Sequence, residues 1–457
     1  MTLTAAFTFV KLLDIMTDTT QKQTIAALDI GTTKVCALVG RRDEHGRVEI
    51  LGTGKVESEG VMRGVVSNIE KTVRAISEAR RLAEQSSGQT FDTVHVGIAG
   101  QHIKSLQHRG MLMRDNSHSE ISQRDIDRLI GDMHKLVLPP GDKILHVIPQ
   151  EYTVDNEQGI VDPIGMSGSK LEANFHIITG QITASNNINR CVERAGMHMA
   201  NVTLEPIASS ASVLYEDEKH AGVALVDIGG GTTDITIFQE GIIRHTAVIP
   251  FGGHVITKDI KSGCTVMEQH AEKLKVNYGS ALASEVYENR VIVIPGLRGR
   301  EPKEISEKNL ALIIQARAEE ILDHVLWEIR RAGFDGSQLI GGIVLTGGGA
   351  LLRDFDKLTE LHTGMSARIG SPVEHLAHGY TEKLTSPIYA TGVGLLLQGF
   401  ADIDAGRVVV AKPKKEEPVT ELELEEQIKE EASGPTWFDN VFKRTKEWFE
   451  AEPDRDF

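Results

Sequence analysis

One short pattern occurs twice in this chain, and the repetition constrains the fold more than any other feature. Leu225 to Asp234 reads Leu-Val-Asp-Ile-Gly-Gly-Gly-Thr-Thr-Asp; it closes the apolar run Val223 to Val226 and leads into a second run, Ile235 to Phe238. Apolar run, glycine cluster, apolar run predicts strand, tight turn, strand. Without a Cβ, Gly229, Gly230 and Gly231 can take positive φ and let backbone amides converge on an anion, while Thr232 and Thr233 add hydroxyl donors. Asp227 at the strand end repels phosphate, so its expected use is to hold a magnesium ion (Mg2+), through water, that neutralises phosphate charge. About 200 residues upstream, Ile25 to Lys34 repeats the device as Ile-Ala-Ala-Leu-Asp-Ile-Gly-Thr-Thr-Lys, before the run Val35 to Val39.

A third element, Gly342 to Leu352, is a buried strand running into Gly347-Gly348-Gly349 and then a helix. Missing side chains there let a flat base lie against the backbone. Two phosphate turns and one base-binding turn predict a bound nucleotide. This set resembles the actin, Hsp70 and sugar-kinase superfamily, an α/β class in which two related lobes clamp ATP between an Asp-containing hairpin from each.

With 457 residues, 40% hydrophobic and 25% charged, the chain has material for more than one well-filled core. A formal charge of −16 speaks against nucleic acid as a partner, because that grip needs a basic surface. Cys36, Cys191 and Cys264 are widely separated, without the spacing of a disulfide framework or a zinc site, as expected in a reducing cytoplasm. Residues 1–23 read as an unstructured extension with Met16 as a candidate start: the apolar patch Ala5 to Val10 lacks the basic flank and cleavage site of a signal peptide. No run of 18 or more apolar residues predicts a membrane span.

Along the chain, residues 24–91 read as the first part of lobe one, with a strand over Val48 to Val56 and a helix over Asn68 to Gln85. Residues 92–180 read as an inserted subdomain: a strand at Val94 to Ile98, a polar stretch, a helix over Ser122 to Leu136 and strands near Lys143 to Ile148 and Asn174 to Ile178. Lobe one resumes at 181–215. Lobe two occupies 216–250 and 338–370 and contains a subdomain at 251–337, whose helix over Ser306 to Ala332 has core spacing. Within 371–404, Thr385 to Leu397 reads as a small-residue helix packed between the lobes as a hinge. Residues 405–434 form an acidic linker rich in glutamate, lysine and proline.

The linker ends in a compact aromatic segment, 435–451. At about 100° per residue, Trp437, Phe438, Val441, Phe442, Trp448 and Phe449 gather into an arc of roughly 140°. Lys443, Arg444 and Lys446 lie outside it, placed to meet anionic lipid. This predicts an amphipathic membrane-targeting helix; the alternative is a helix that docks on protein.

Residues 24–457 as a whole resemble the FtsA family of actin-like bacterial cell-division proteins. Four features carry the resemblance: Leu204-Glu205-Pro206-Ile207-Ala208-Ser209-Ser210, Arg244-His245-Thr246-Ala247-Val248-Ile249-Pro250, the insertion in lobe one, and the acidic linker before the amphipathic helix. It implies subdomains 1A, 1C (the insertion), 2A and 2B (251–337). It further implies ATP binding with weak or absent hydrolysis, polymerisation, peripheral attachment to the inner face of the cytoplasmic membrane at the division site, binding of the FtsZ C-terminal tail by 2B, and recruitment of other divisome proteins by 1C.

Residue by residue, the resemblance puts Asp29 and Asp227 on the magnesium side and Gly31, Thr32, Thr33, Gly229, Gly230, Gly231 and Thr232 at the phosphates. Glu272 and Lys275 reach the ribose, and Gly347, Gly348 and Gly349 face the adenosine. Glu205 takes the position that orients attacking water. Asp234 either helps to hold the metal or caps its turn. Arg300 and Arg317 are the candidates for the FtsZ-tail groove. Two other readings compete: a sugar-type kinase of the same fold, which needs no tethered aromatic helix, and a pilus-assembly relative of FtsA.

Overall fold

The computed structural model describes residues 23–114, 119–296, 301–377 and 382–406. The N-terminal extension up to residue 22, Arg300, all but the first two residues of the acidic linker, and the terminal helix lie outside the described residues.

Lobe one opens with β1 (Thr24–Ile30), β2 (Lys34–Arg42) and β3 (Val48–Glu57), an antiparallel meander, followed by the small hairpin β4 (Val61–Met62) and β5 (Val65–Val66). Helix α1 (Ile69–Ser87) starts where the Asn68 side chain accepts the Lys71 amide and stops at Gly88 in the left-handed region. β6 (Thr93–Ile98) then returns parallel to β1, so this strand belongs to the sheet of lobe one and not, as expected from the sequence, to the insertion. Both faces of β1 are covered. Ala26, Leu28 and Ile30 join the core under α1, while Ile25 and Ala27 join a second core on the opposite face, so its apolar run is continuous rather than alternating.

The insertion is a four-stranded antiparallel sheet in the order β7-β10-β8-β9, from β7 (Lys104–Met113), β8 (Asp142–Val154), β9 (Glu157–Ile160) and β10 (Lys170–Gln181). Helix α2 (Gln123–Met133) packs Ile126, Leu129 and Met133 on it around Phe175. The sequence reading had a polar stretch where β7 lies. Most of β7 is exposed, with only Gly110 and Leu112 buried, so the apolar alternation that marks a strand is nearly absent.

Lobe one resumes with α3 (Ile182–Arg194) and β11 (His198–Leu204), which completes a sheet in the order β11-β6-β1-β2-β3. Helices α4 (Glu205–Val213) and α5 (Glu216–Ala221) lead into lobe two. There β12 (Val223–Ile228), β13 (Thr233–Gln239) and β14 (Ile242–Ile249) repeat the antiparallel meander. After them come α6 (Gly253–Cys264), α7 (Glu268–Tyr278), the hairpin β15 (Val291–Ile294) and β16 (Lys303–Ser306), and the long α8 (Glu307–Arg331). β17 (Ile343–Thr346), α9 (Phe355–Thr363) and β18 (Ala367–Ile369) close a sheet in the order β14-β13-β12-β17-β18, with β17 and β18 parallel to β12. Each lobe thus holds three antiparallel strands followed outward by two parallel ones, the duplication that the paired motifs predict.

The last helix, α10 (Ala390–Asp404), packs Val393 and Leu396 against the outer face of β1 and β2. It crosses α4 so closely that a Cβ on Gly394 would overlap the Ala208 carbonyl. The C-terminal end of α4, Val213 and Leu214, meanwhile packs with Val223, Leu225 and Phe238 of lobe two. α4 and α10 therefore stand together where the two lobes meet.

Candidate functional site

The two predicted hairpins close identically. The Gly31 amide donates to the Lys34 carbonyl and the Gly229 amide to the Thr232 carbonyl, each at 2.9 Å. The next amides, of Thr32, Thr33, Gly230 and Gly231, have no backbone acceptor among the described residues and remain available to an anion.

The reason for the glycines differs from the one expected. None of Gly31, Gly229, Gly230 or Gly231 lies in the left-handed region; proximity is what demands them. A Cβ on Gly230 would overlap the Thr33 methyl, and one on Gly231 would stand 2.5 Å from the Thr32 hydroxyl. The tips of the two hairpins meet, one from each lobe. Thr32 is further fixed by accepting the Gly64 amide at 3.2 Å.

Four carboxylates and one cation gather beneath those tips. Asp29 is buried and pairs with Lys34, which begins β2. Burial works against the Lys34 cation, but Asp29, with Cys36 and Glu205 beyond it, outweighs burial and raises its pKa above the ordinary lysine value. Asp227 and Asp234 are cross-strand partners in the β12–β13 ladder. Burial raises the pKa of Asp227, opposed by the Ser209 hydrogen bond and by Lys34. Asp234 is pushed up to about 8 by burial and by Asp227, partly offset by the Thr232 hydroxyl, and its Oδ1 is buried without a hydrogen-bond partner.

Glu205 opens α4, with Pro206 in the first turn. Burial, then the charges of Asp29, Asp234 and Asp227, raise its pKa well above the carboxylate range, against the pull of Lys34. A Cβ on Gly97 would come within 3.0 Å of the Glu205 Cγ, so the bare backbone of β6 makes the room in which this side chain lies.

The expected ribose pair is anchored rather than loose. Lys275 donates to Glu272 at 2.8 Å, to the Thr257 hydroxyl at 2.9 Å and to the Gly253 carbonyl at 3.1 Å, while Thr257 donates to Glu272 at 2.5 Å. Gly253, the first residue of α6, donates its own amide to the Gly229 carbonyl at 2.9 Å. Glu272 and Lys275 are thereby tied to the second glycine turn through α6.

The three glycines after β17 do different things. Gly347, at φ 81°, lies where a Cβ would overlap the Asp227 Oδ1, and a Cβ on Gly349 would overlap Ile228. These two let the turn pack on the second hairpin. Only Gly348 faces space: the nearest atom to its Cβ position is Ile388 Cγ1 at 4.0 Å. A 3-10 turn, Gly349–Leu351, follows, and α9 begins only at Phe355.

This arrangement fits a hydrated divalent cation with a nucleotide. Burial and mutual repulsion raise the pKa of Asp227, Asp234 and Glu205, as expected of carboxylates with too little positive charge around them, and the buried Asp234 Oδ1 lacks a partner. Among the described residues no three acidic, histidine or cysteine side chains form a metal-ligating group. Magnesium, however, keeps several waters and takes one or two carboxylates plus phosphate oxygens.

Residues 224–394 match the family model described as cell division protein FtsA, and residues 100–179 match that of the SHS2 domain inserted in FtsA. The cell division protein FtsA of Pseudomonas aeruginosa is 43% identical over 376 residues, spanning 82% of this chain and 89% of that protein. The chain belongs to the FtsA family. It is accordingly a cell-division protein of the actin/Hsp70 superfamily.

Among solved structures, a chain of the PilM-PilN type IV pilus biogenesis complex superposes with a TM-score of 0.59 at 13% identity, covering 82% of this chain and 98% of that one. MreB 5 of Spiroplasma citri bound to AMPPNP gives 0.52 at 14%, covering 84% and 99%. At such identities both report the fold alone, and they agree on the two-lobed architecture that the FtsA family match implies.

Of the two arginines expected to line the FtsZ-tail groove, Arg317 is described. It lies on α8, where its Nε donates to Asp259 at 2.5 Å and its Nη1 pairs with Glu320. No helix among the described residues is long and apolar enough to cross a membrane.

Three contributors to this FtsA cleft escaped the sequence reading. Lys34 stands last in the first motif, and a lysine opening an otherwise buried strand was its signal. Ser209 and Thr391 reach Asp227 from lobe one, Ser209 at 2.6 Å and Thr391 at 3.4 Å. Both sit in stretches of small residues whose spacing carries no pointer to Asp227.

Proposed function

We propose that this FtsA-family chain binds ATP with magnesium between its lobes and polymerises on the inner face of the cytoplasmic membrane at the division site. There it tethers FtsZ filaments through its C-terminal amphipathic helix. The observation that carries the nucleotide reading is the convergence of two anion-ready turns on four carboxylates and a single lysine. In this reading Asp29 and Asp227 serve the magnesium. Gly31, Thr32, Thr33, Gly229, Gly230, Gly231 and Thr232 serve the phosphates, Glu272 and Lys275 the ribose, and Gly347, Gly348 and Gly349 the adenosine. Magnesium, when bound, neutralises phosphate charge that the carboxylates would otherwise repel.

Hydrolysis is proposed to be weak or absent. We assign Glu205 to orienting the attacking water; burial and the charges of Asp29, Asp234 and Asp227 raise its pKa. The remaining assignments follow the family. Trp437, Phe438, Val441, Phe442, Trp448 and Phe449 with Lys443, Arg444 and Lys446 bind anionic lipid, Arg300 and Arg317 take the FtsZ tail, 1C takes other divisome proteins, and further copies of this chain build the filament.

The deciding experiment titrates a fluorescent ATP analogue into the parent and into Asp227→Ala, with magnesium and with chelator. Weakened binding of the magnesium complex, with the chelated nucleotide less affected, is the expected result. Equal affinity of both proteins for the magnesium complex overturns the assignment.

A further inference from the structure

Asp227 belongs to lobe two, yet the hydroxyls that hold it belong to lobe one. Ser209 Oγ donates to Asp227 Oδ2 at 2.6 Å and lies 3.1 Å from Thr391 Oγ1, which itself is 3.4 Å from the same oxygen. Ser209 is fully buried and Thr391 nearly so. A serine hydroxyl has one proton. Ser209 spends it on the carboxylate, so the single Thr391 proton is shared between Ser209 Oγ at 3.1 Å and, more weakly, the same carboxylate oxygen at 3.4 Å.

The two helices that carry these hydroxyls cannot shift independently. Gly394 of α10 lies against the Ala208 backbone, and the single proton of the Ser212 hydroxyl is shared between the Ala390 carbonyl at 2.7 Å and the Ser209 carbonyl at 2.9 Å. Ser209 also stands one turn after Glu205 on α4, and residues four apart share a helix face. The face that presents Glu205 to the cleft therefore also presents the hydroxyl that grips Asp227.

The grip selects an orientation. Oδ2 is taken by Ser209, while Oδ1 turns toward Gly347, where the missing Cβ keeps it clear. We propose that Ser209 is a positioning residue for magnesium: by holding Asp227 through Oδ2 it fixes the orientation of the carboxylate, and so makes metal binding by lobe two depend on its contact with lobe one. Thr391 is the secondary support. This rests on the magnesium–nucleotide reading above and names the device that couples that site to the closure of the lobes.

The test is the magnesium concentration that half-saturates binding of a fluorescent ATP analogue, measured on the full chain for the parent, Ser209→Ala, Thr391→Val, Asp227→Asn, and Ser209→Ala combined with Asp227→Asn. A hydrogen bond to a charged group is strong enough that its loss predicts roughly a tenfold rise for Ser209→Ala. Thr391→Val, losing a longer contact, should show a smaller rise, and it stands in should Ser209→Ala not fold. Nucleotide affinity in chelator should be the same in parent and Ser209→Ala. In the Asp227→Asn chain, Ser209→Ala should add nothing further.

A parent that responds to magnesium while Ser209→Ala and Thr391→Val behave identically to it overturns the positioning role and spares the nucleotide reading. So does a Ser209→Ala chain that loses affinity equally with and without magnesium, which is what a purely structural role predicts. A parent whose nucleotide binding ignores magnesium overturns both readings together.

Discussion

Asp227 and Asp234 face each other directly across the β12–β13 ladder, and both are buried. Two like charges at such a position repel, and burial penalises each one further. The structure resolves the conflict unequally: burial raises the pKa of both, but the Ser209 hydrogen bond and Lys34 hold Asp227 back, whereas Asp234 is pushed up to about 8.

That asymmetry has a sign. Between the ordinary value of 3.8 and about 8 the folded chain holds a proton on Asp234 that the unfolded chain has released. Stability should therefore fall as pH rises across that window, by up to about 1.4 kcal/mol per pH unit. Asp234→Asn keeps the shape and removes the titration. The variant should match the parent near pH 4, gain on it progressively up to about pH 8, and run parallel above. Glu205 is shifted in the same direction, so a residual slope should survive. Denaturant unfolding at several pH values checks this, and a constant difference across the range would remove Asp234 as the titrating group.

Much of this cleft was legible before any coordinates. The duplicated Asp-Gly motif announces two hairpins because an apolar run broken by glycines has few other uses, and both sheets follow the meander it implies. What was illegible depends on partners distant in sequence. Gly230 is glycine on account of Thr33, and Gly394 on account of Ala208, in each case a contact between segments that the chain order keeps far apart. β7 hides because an exposed strand needs no apolar alternation, and Lys34 because a lone charge beside a strand ordinarily means solvent, not a buried Asp29.

Gly347 and Gly348, adjacent in sequence, should separate packing from recognition. Alanine at Gly347 must adopt a left-handed φ and overlap Asp227 Oδ1, with the Ile228 carbonyl 2.7 Å away, so a loss of roughly 1 to 3 kcal/mol in stability is expected. Gly348 has helical dihedrals and open space at its Cβ position. Alanine there should change stability by less than about 0.5 kcal/mol while weakening an adenine nucleotide that must lie flat on that backbone. Thermal unfolding and nucleotide titration on both variants decide it; a Gly348→Ala chain with unchanged affinity places the base elsewhere.

The terminal segment should behave as a reversible anchor. Each aromatic seated at the membrane interface contributes on the order of 1 to 2 kcal/mol from its apolar area, and Lys443, Arg444 and Lys446 add about 1 kcal/mol each near an anionic leaflet, before the cost of folding the helix. A single tail then binds weakly, and a filament presenting many tails binds strongly through effective concentration. Replacing Trp448 and Phe449 together by glutamate puts two charges on the apolar arc and should release the protein from anionic vesicles. Nucleotide affinity should persist, since neither residue belongs to the nucleotide-binding set proposed above. Co-sedimentation with anionic and neutral vesicles, with nucleotide titration alongside, measures both. If the double variant still pellets with anionic vesicles, or the parent pellets equally with neutral ones, the aromatic face docks on protein and the membrane role fails.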